Sequence, residues 1–337
     1  MIRRIKCLVK RTLISIFKVC TGCTLLYKTN WYKSFFVDMD HEIYPDNEWY
    51  RNHEERNFDI VNLGSLSAKY AFNYTDFNIK ALNWAQPQTL PEDYQILRHY
   101  HSILKKGGYV IITIMPFTGV NKRTGIRDAM KYLKLNTAGT PIQPIMYNEA
   151  KKYAEFPILF GKPAFRALIS NSFAMGVVKK LLGKKTKKSI DVDKLGYNPM
   201  NSEQLKADAE KWMGNWKKQF SITDFESALT DENKKGREYR INVMRDLIDF
   251  CLERDYVPVY VIPPVTEYLS ALFTKKFKDI YIYDYLKEVN RNILCLDYLS
   301  KTEWIDKDFY FNSFFLNSRG ARLFTKKVLE DIGLLKS

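Results

Sequence analysis

Phe58-Asp59-Ile60-Val61-Asn62-Leu63-Gly64-Ser65-Leu66-Ser67-Ala68-Lys69-Tyr70-Ala71-Phe72 is the stretch on which the reading of this chain turns. A short apolar run, Ile60, Val61 and Leu63, follows polar and charged sequence, the pattern of a buried strand. The run stops at Gly64, and small hydroxyl residues come next. A strand that breaks at Gly-Ser and turns into a helix leaves backbone N–H groups and a side chain at the C-terminal edge of its sheet. Open α/β sheets bind their ligands at that edge. A nucleophile placed there has N–H donors beside it for an oxyanion. The same residues also suit a plain strand–turn–helix junction, so this segment alone leaves chemistry and scaffold both open.

Beyond this stretch, Ala81 to Thr89 reads as a short second strand and a loop. Thr89 can cap the next helix, with Pro91 and Glu92 in its first turn. That helix is expected to run to about Leu104 and to stop at Lys105-Lys106-Gly107-Gly108, since basic residues and glycine suit a helix C-terminus. Tyr109 to Met115 then reads as a fully buried strand. Strand, helix and strand in succession imply a parallel sheet. The rhythm resumes with an amphipathic helix over 235–254, a strand at Val257–Ile262 closed by Pro263-Pro264, a helix over 279–290 and a last strand at Asn292–Asp297.

Residues 117–235 interrupt this rhythm and read as a helical insertion, placed where a lid over the sheet edge would be. It holds expected helices over 126–133, 164–182 and 202–220, and a basic loop at Gly183-Lys184-Lys185-Thr186-Lys187-Lys188. Such a lysine run is usually solvated surface, and it also suits phosphate or an acidic glycan. Trp212 and Trp216 lie four apart on one helical face, a spacing that favours core or lid packing over a sugar platform.

The chain of 337 residues accommodates one large α/β domain with insertions or two smaller domains. We divide it into a lead-in at 1–57 and an α/β domain at 58–330 that carries the insertion. A net charge of +15 implies attraction to anions: an acidic glycan, an anionic lipid or nucleic acid. Nucleic acid ranks last, because neither zinc-finger spacing nor an aromatic RNA-binding pattern accompanies the charge. Neither a metal-ligand spacing nor a dinucleotide fingerprint is legible, so no cofactor is expected. Cys7, Cys20, Cys23, Cys251 and Cys295 are an odd, sparse set that fits reduced thiols and a cytoplasmic location, with Cys251 and Cys295 as small core residues. Residues 1–27 interleave Arg3, Arg4, Lys6, Lys10, Arg11 and Lys18 with apolar residues. They lack the apolar length of a spanning helix. They read either as a basic amphipathic helix on the inner face of an anionic membrane or as a helix packed on its own domain. His41, His53, His99 and His101 read as surface residues.

The closing segment is the most specific one: Asp308-Phe309-Tyr310-Phe311-Asn312-Ser313-Phe314-Phe315-Leu316-Asn317-Ser318-Arg319-Gly320-Ala321-Arg322-Leu323-Phe324-Thr325. Asn317 would cap a final helix, and Gly320 and Ala321 would let it pack closely. Its shell Leu316-Asn317, Gly320-Ala321 and Phe324-Thr325 resembles the last block of the SGNH/GDSL hydrolases, Asp-x-x-His-Leu-Asn-x-x-Gly-Ala-x-x-Phe-Thr. The Gly64 segment resembles their first block, in which Gly-Asp-Ser or Gly-Ser-Ser closes the first strand. With the Pro263-Pro264 strand end, the resemblance covers most of 58–330 and leaves the insertion unmatched. It points to the branch that handles polysaccharide O-acyl esters and D-alanyl transfer in bacterial envelopes. It implies a flavodoxin-like three-layer α/β/α sandwich around a mostly parallel sheet.

The departures from that family carry more weight. In register on Gly64, the nucleophile position holds Leu66; shifted by one, it holds Ser65. The aspartate position holds Asn312 and the histidine position Phe315. Gly64, Ser67 and Asn83 remain as candidate oxyanion or ligand-binding residues, and Ser65 and Asn312 as degenerate catalytic positions. A serine hydroxyl needs an adjacent base near neutral pH. Phenylalanine cannot accept a proton, and no histidine follows His101. Loss of a triad residue costs about four orders of magnitude in rate. The expectation is a non-hydrolytic protein that binds an acylated or acidic envelope glycan, or that serves a membrane acyltransferase. Two alternatives stay open: an active ester hydrolase or O-acyltransferase using Ser65 or Ser67, and a basic nucleic-acid- or lipid-binding protein.

Overall fold

A computed structural model describes residues 55–85, 88–120 and 200–336. The expected helices at 1–27, 126–133 and 164–182, the basic loop 183–188, His41, His53 and the first three cysteines lie outside these residues. Five strands, β1 (Phe58–Leu63), β2 (Ala81–Asn83), β3 (Leu104–Thr113), β4 (Val257–Ile262) and β5 (Leu294–Asp297), form one parallel sheet in the order β2-β1-β3-β4-β5. This is a doubly wound order, and it reverses direction between β1 and β3. The helices are α1 (Leu66–Ala71), α2 (Leu90–Tyr100), α3 (Ser202–Phe220), α4 (Asp231–Leu252), the short α5 (Glu267–Ser270) and α6 (Lys275–Lys278), α7 (Asp284–Val289) and α8 (Ser318–Asp331).

Alternation along the strands divides the core into two layers. Ile60, Ile111, Val259 and Val261 face a cluster with Ala71 and Phe72 at the end of α1 and Phe324, Val328 and Leu329 of α8. Val61, Leu63, Val110, Ile112, Tyr260 and Ile262, also buried, alternate with them and belong to the opposite face. There α4 packs on β4, α2 and α7. Burial on both faces explains why the strands read as continuous apolar runs rather than as alternating ones. Each fully buried Leu, Ile or Phe contributes about 1.5–3 kcal/mol, before the entropy of ordering the chain is subtracted.

Local chemistry sets the helix ends. The Thr89 N–H (2.9 Å) and hydroxyl both donate to Glu92 at the start of α2. Asn317 Oδ1 accepts from the Gly320 N–H at 2.9 Å and caps α8. A Cβ on Gly320 would run into the Phe309 carbonyl, so α8 packs as closely as its sequence implied. The expected boundary at 104–109 is corrected: α2 stops at Tyr100, and β3 already begins at Leu104. Lys105 pairs with Asp59 of β1, and the Gly107 N–H donates to the Asp255 carbonyl at 2.6 Å. The register between β1 and β3 slips between Phe58 and Ile60, so the Lys-Lys-Gly-Gly residues form a bulge in a strand rather than a helix end. Cys251 is buried as expected. Cys295 is exposed, because β5 is an edge strand. Among the described residues, no helix is long and apolar enough to cross a membrane.

Candidate functional site

Gly64 ends β1 with φ +135°, a conformation in which a side chain is strained. A Cβ there would also lie 2.8 Å from Ala68 Cβ and 3.0 Å from Thr113 Cβ. Ser65 follows as the exposed N-cap of α1, Leu66 is half-buried, and Ser67 is buried. The Ser65 and Ser67 hydroxyls lie 3.1 Å apart. All of this sits where the strand order reverses, between the C-terminal ends of β1 and β3. Open doubly wound sheets bind ligands in that crevice.

The Gly64 N–H is not free for an oxyanion. It donates to Asp93 Oδ1 at 2.9 Å, and Gln88 Nε2 donates to the same oxygen. Gln88 Nε2 also reaches the Trp84 carbonyl at 3.2 Å. Burial pushes the Asp93 carboxyl up to about 7; the two hydrogen bonds oppose that shift and neighbouring Glu92 adds to it. Asn83 is also committed. Its Oδ1 accepts from Asn62 Nδ2 (2.8 Å) and the Ala85 N–H (3.0 Å). Its Nδ2 donates to the carbonyls of Lys69 (3.2 Å) and Phe72 (3.0 Å). Asn83 therefore ties β2 to the end of α1. Thr113 Oγ1 and Asn62 Oδ1 are buried without a partner.

The closing loop lies beside α1. Tyr310 and Leu316 form an antiparallel bridge at its base. Asn312 Oδ1 accepts from the Phe314 (2.9 Å) and Phe315 (2.7 Å) N–H groups, a local turn in which the amide oxygen shapes the loop. The Phe315 ring stands 4.9 Å from the Tyr70 ring of α1. The Asn73 N–H, just past α1, donates to Thr325 Oγ1 of α8 at 2.8 Å. Through Phe315 on Tyr70 and Thr325 on Asn73, the closing segment meets the C-terminal end of α1.

α3 covers the loop. Trp212 packs on Phe314 (5.0 Å) and Phe315 (5.5 Å), and Trp216 packs on Phe314 (5.1 Å) and Phe117 (5.3 Å). Asp208 Oδ2 accepts from the Ser313 hydroxyl (2.6 Å), the Ser313 N–H (3.1 Å) and Trp212 Nε1 (3.1 Å). The Ser313 carbonyl accepts from Thr266 Oγ1 at 2.9 Å. Neither Asp93 nor Asp208 stood out in the sequence. An acid in the first turn of a helix reads as an ordinary partner for the helix dipole, and nothing local marks Asp208.

The described histidines lie at the other end of the sheet. His101 opens the short 3-10 turn that leads into β3, with Nδ1 3.1 Å from the hydroxyl of Tyr256, which precedes β4. Burial, helped by nearby Arg254, lowers its pKa. Among the described residues, no group of His, Cys, Asp and Glu could hold a metal ion. A hollow of about 430 Å³ opens between α4 and α7, lined by Arg237, Ile241 and Glu288 among others, and shares no residue with this edge. Basic and acidic residues nearly balance among the described residues, so most of the net charge of +15 belongs to the rest of the chain. A scan of the chain against protein-family models finds no match, and a search among curated proteins finds no relative.

Proposed function

We propose that the chain is a non-hydrolytic protein on an SGNH/GDSL-hydrolase-like scaffold. It binds an acylated or acidic saccharide of the bacterial envelope, or assists a membrane acyltransferase that modifies one. One observation carries the reading: the Phe315 ring lies against Tyr70 of α1, five residues past Ser65. In the resembling hydrolases, the position of Phe315 belongs to the imidazole that takes the serine proton. The Asn312 oxygen is spent on two loop N–H groups, so it does not orient a base. Ser65 keeps an exposed hydroxyl whose partner is another serine, and a second hydroxyl cannot activate it. The parallel sheet and its topological switch point support ligand binding at this edge. The basic residues outside the described part give an anionic glycan or membrane surface an attractive field.

The test is an acyl-release assay on O-acetylated saccharides and p-nitrophenyl acetate, run beside a saccharide-binding measurement. We expect saccharide binding with no release above buffer. Ester turnover that disappears in Ser65→Ala would overturn the proposal.

A further inference from the structure

We propose that Asp93 is a positioning residue that holds the Gly64–Ser65 turn in shape and couples that shape to its own ionisation. That this edge is the ligand site rests on the function proposed above, whereas the coupling between Asp93 and Gly64 does not. The chain leaves β1 through a glycine that only glycine can replace, since its φ is +135° and a Cβ would strike Ala68 and Thr113. One hydrogen bond to a side chain fixes the amide of that glycine, the 2.9 Å contact with Asp93 Oδ1. Gln88 Nε2 holds the same oxygen and ties it to the Trp84 carbonyl. Ser65, the exposed N-cap of α1, follows directly. The turn presenting Ser65 is thus pinned from beneath by a carboxylate.

That carboxylate is only 6% exposed, and no cation pairs with it among the described residues. Gly64 and Gln88 face it with neutral donors. The charged group acting on it is Glu92 of the same helix, also buried, which lies within the field of the buried Arg240 of α4. Burial and Glu92 both favour the neutral acid, so protonation falls near neutral pH instead of near 4. A hydrogen bond to a carboxylate is shorter and stronger than one to a neutral acid. Gaining the proton therefore loosens the hold on Gly64.

The experiment is a pH titration from 5 to 9 of the full chain labelled with 15N-glycine, in which fifteen glycine amides report. The Asp93 carboxyl carbon is followed by 13C labelling in parallel. The Gly64 amide is expected to move upfield on acidification, with the midpoint of the Asp93 carboxyl and close to pH 7. Glu92→Gln should lower both midpoints together, and Asp93→Asn should abolish the Gly64 titration. A flat Gly64 amide would overturn the proposal, as would two separate midpoints in the unmodified protein, a result that needs no folded variant. Loss of saccharide binding alongside an intact Gly64–Asp93 titration would count against the functional reading and leave this coupling standing.

Discussion

At the scale of single residues, the edge combines strict demands with unpaired polar atoms. Gly64→Ala should destabilise the fold by about 1–3 kcal/mol, because it adds a clash to an unfavourable φ; chemical denaturation measures this. Thr113 Oγ1 is buried with no partner. Thr113→Val, nearly the same shape without the hydroxyl, should leave stability unchanged or raise it by about 1 kcal/mol. A clear loss of stability would mean that the hydroxyl is bonded. Asp93 gives a pH-dependent prediction. Its folded pKa lies above its ordinary value of 3.8. The folded chain therefore keeps a proton that the unfolded chain releases, and the stability gained from the neutral form is lost as pH rises from about 4 to about 7. Asp93→Asn, which stays neutral, should gain on the wild type by roughly 2–4 kcal/mol between pH 5 and pH 8. Paired denaturation curves at the two pH values decide it; a difference that does not change with pH would contradict the ionisation described here.

At the scale of elements, the two ends of the domain were the most legible. α8 announced itself through Asn317 as cap and Gly320-Ala321 as the close-packed face, and it forms on those residues. Asn317 Oδ1 caps the helix, and its Nδ2 donates to the Asp308 (2.7 Å) and Tyr310 (3.3 Å) carbonyls. Asn317→Ala should therefore cost about 2 kcal/mol, the upper end for an N-cap. A melting temperature within 1–2 °C of wild type would show that the cap is dispensable. The start of β3 was not legible. Lys105-Lys106-Gly107-Gly108 has the chemistry of a helix C-terminus. The outcome was set instead by Asp59 and Asp255, residues 46 and more positions away in sequence that hold Lys105 and Gly107. The candidate site was legible only in outline. Gly64 and Ser65 could be picked out because a strand break has a local signature. The partners that define the site chemically, Asp93 on Gly64 and Asp208 on Ser313, come from other helices and leave no pattern within any short window.

At the scale of the whole molecule, the described residues form a nearly neutral doubly wound α/β unit in a chain whose positive charge is carried elsewhere. Under the proposed function, that division would separate two roles: ligand binding at the switch point of the sheet, and long-range attraction by the basic segments. If the charge serves attraction, binding of an anionic saccharide should weaken steeply with salt. Binding of a neutral acylated saccharide at the crevice should change little. The proposed function turns on one point: a ring and an amide, Phe315 and Asn312, stand at the sequence positions of a resembling hydrolase's proton-moving groups. The most direct measurement is labelling of the purified chain with a fluorophosphonate probe, read by peptide mass spectrometry over Ser65 and Ser67. No adduct is expected on either serine beyond that of the denatured chain. A stoichiometric adduct on Ser65 or Ser67 in the folded protein would contradict the proposed function.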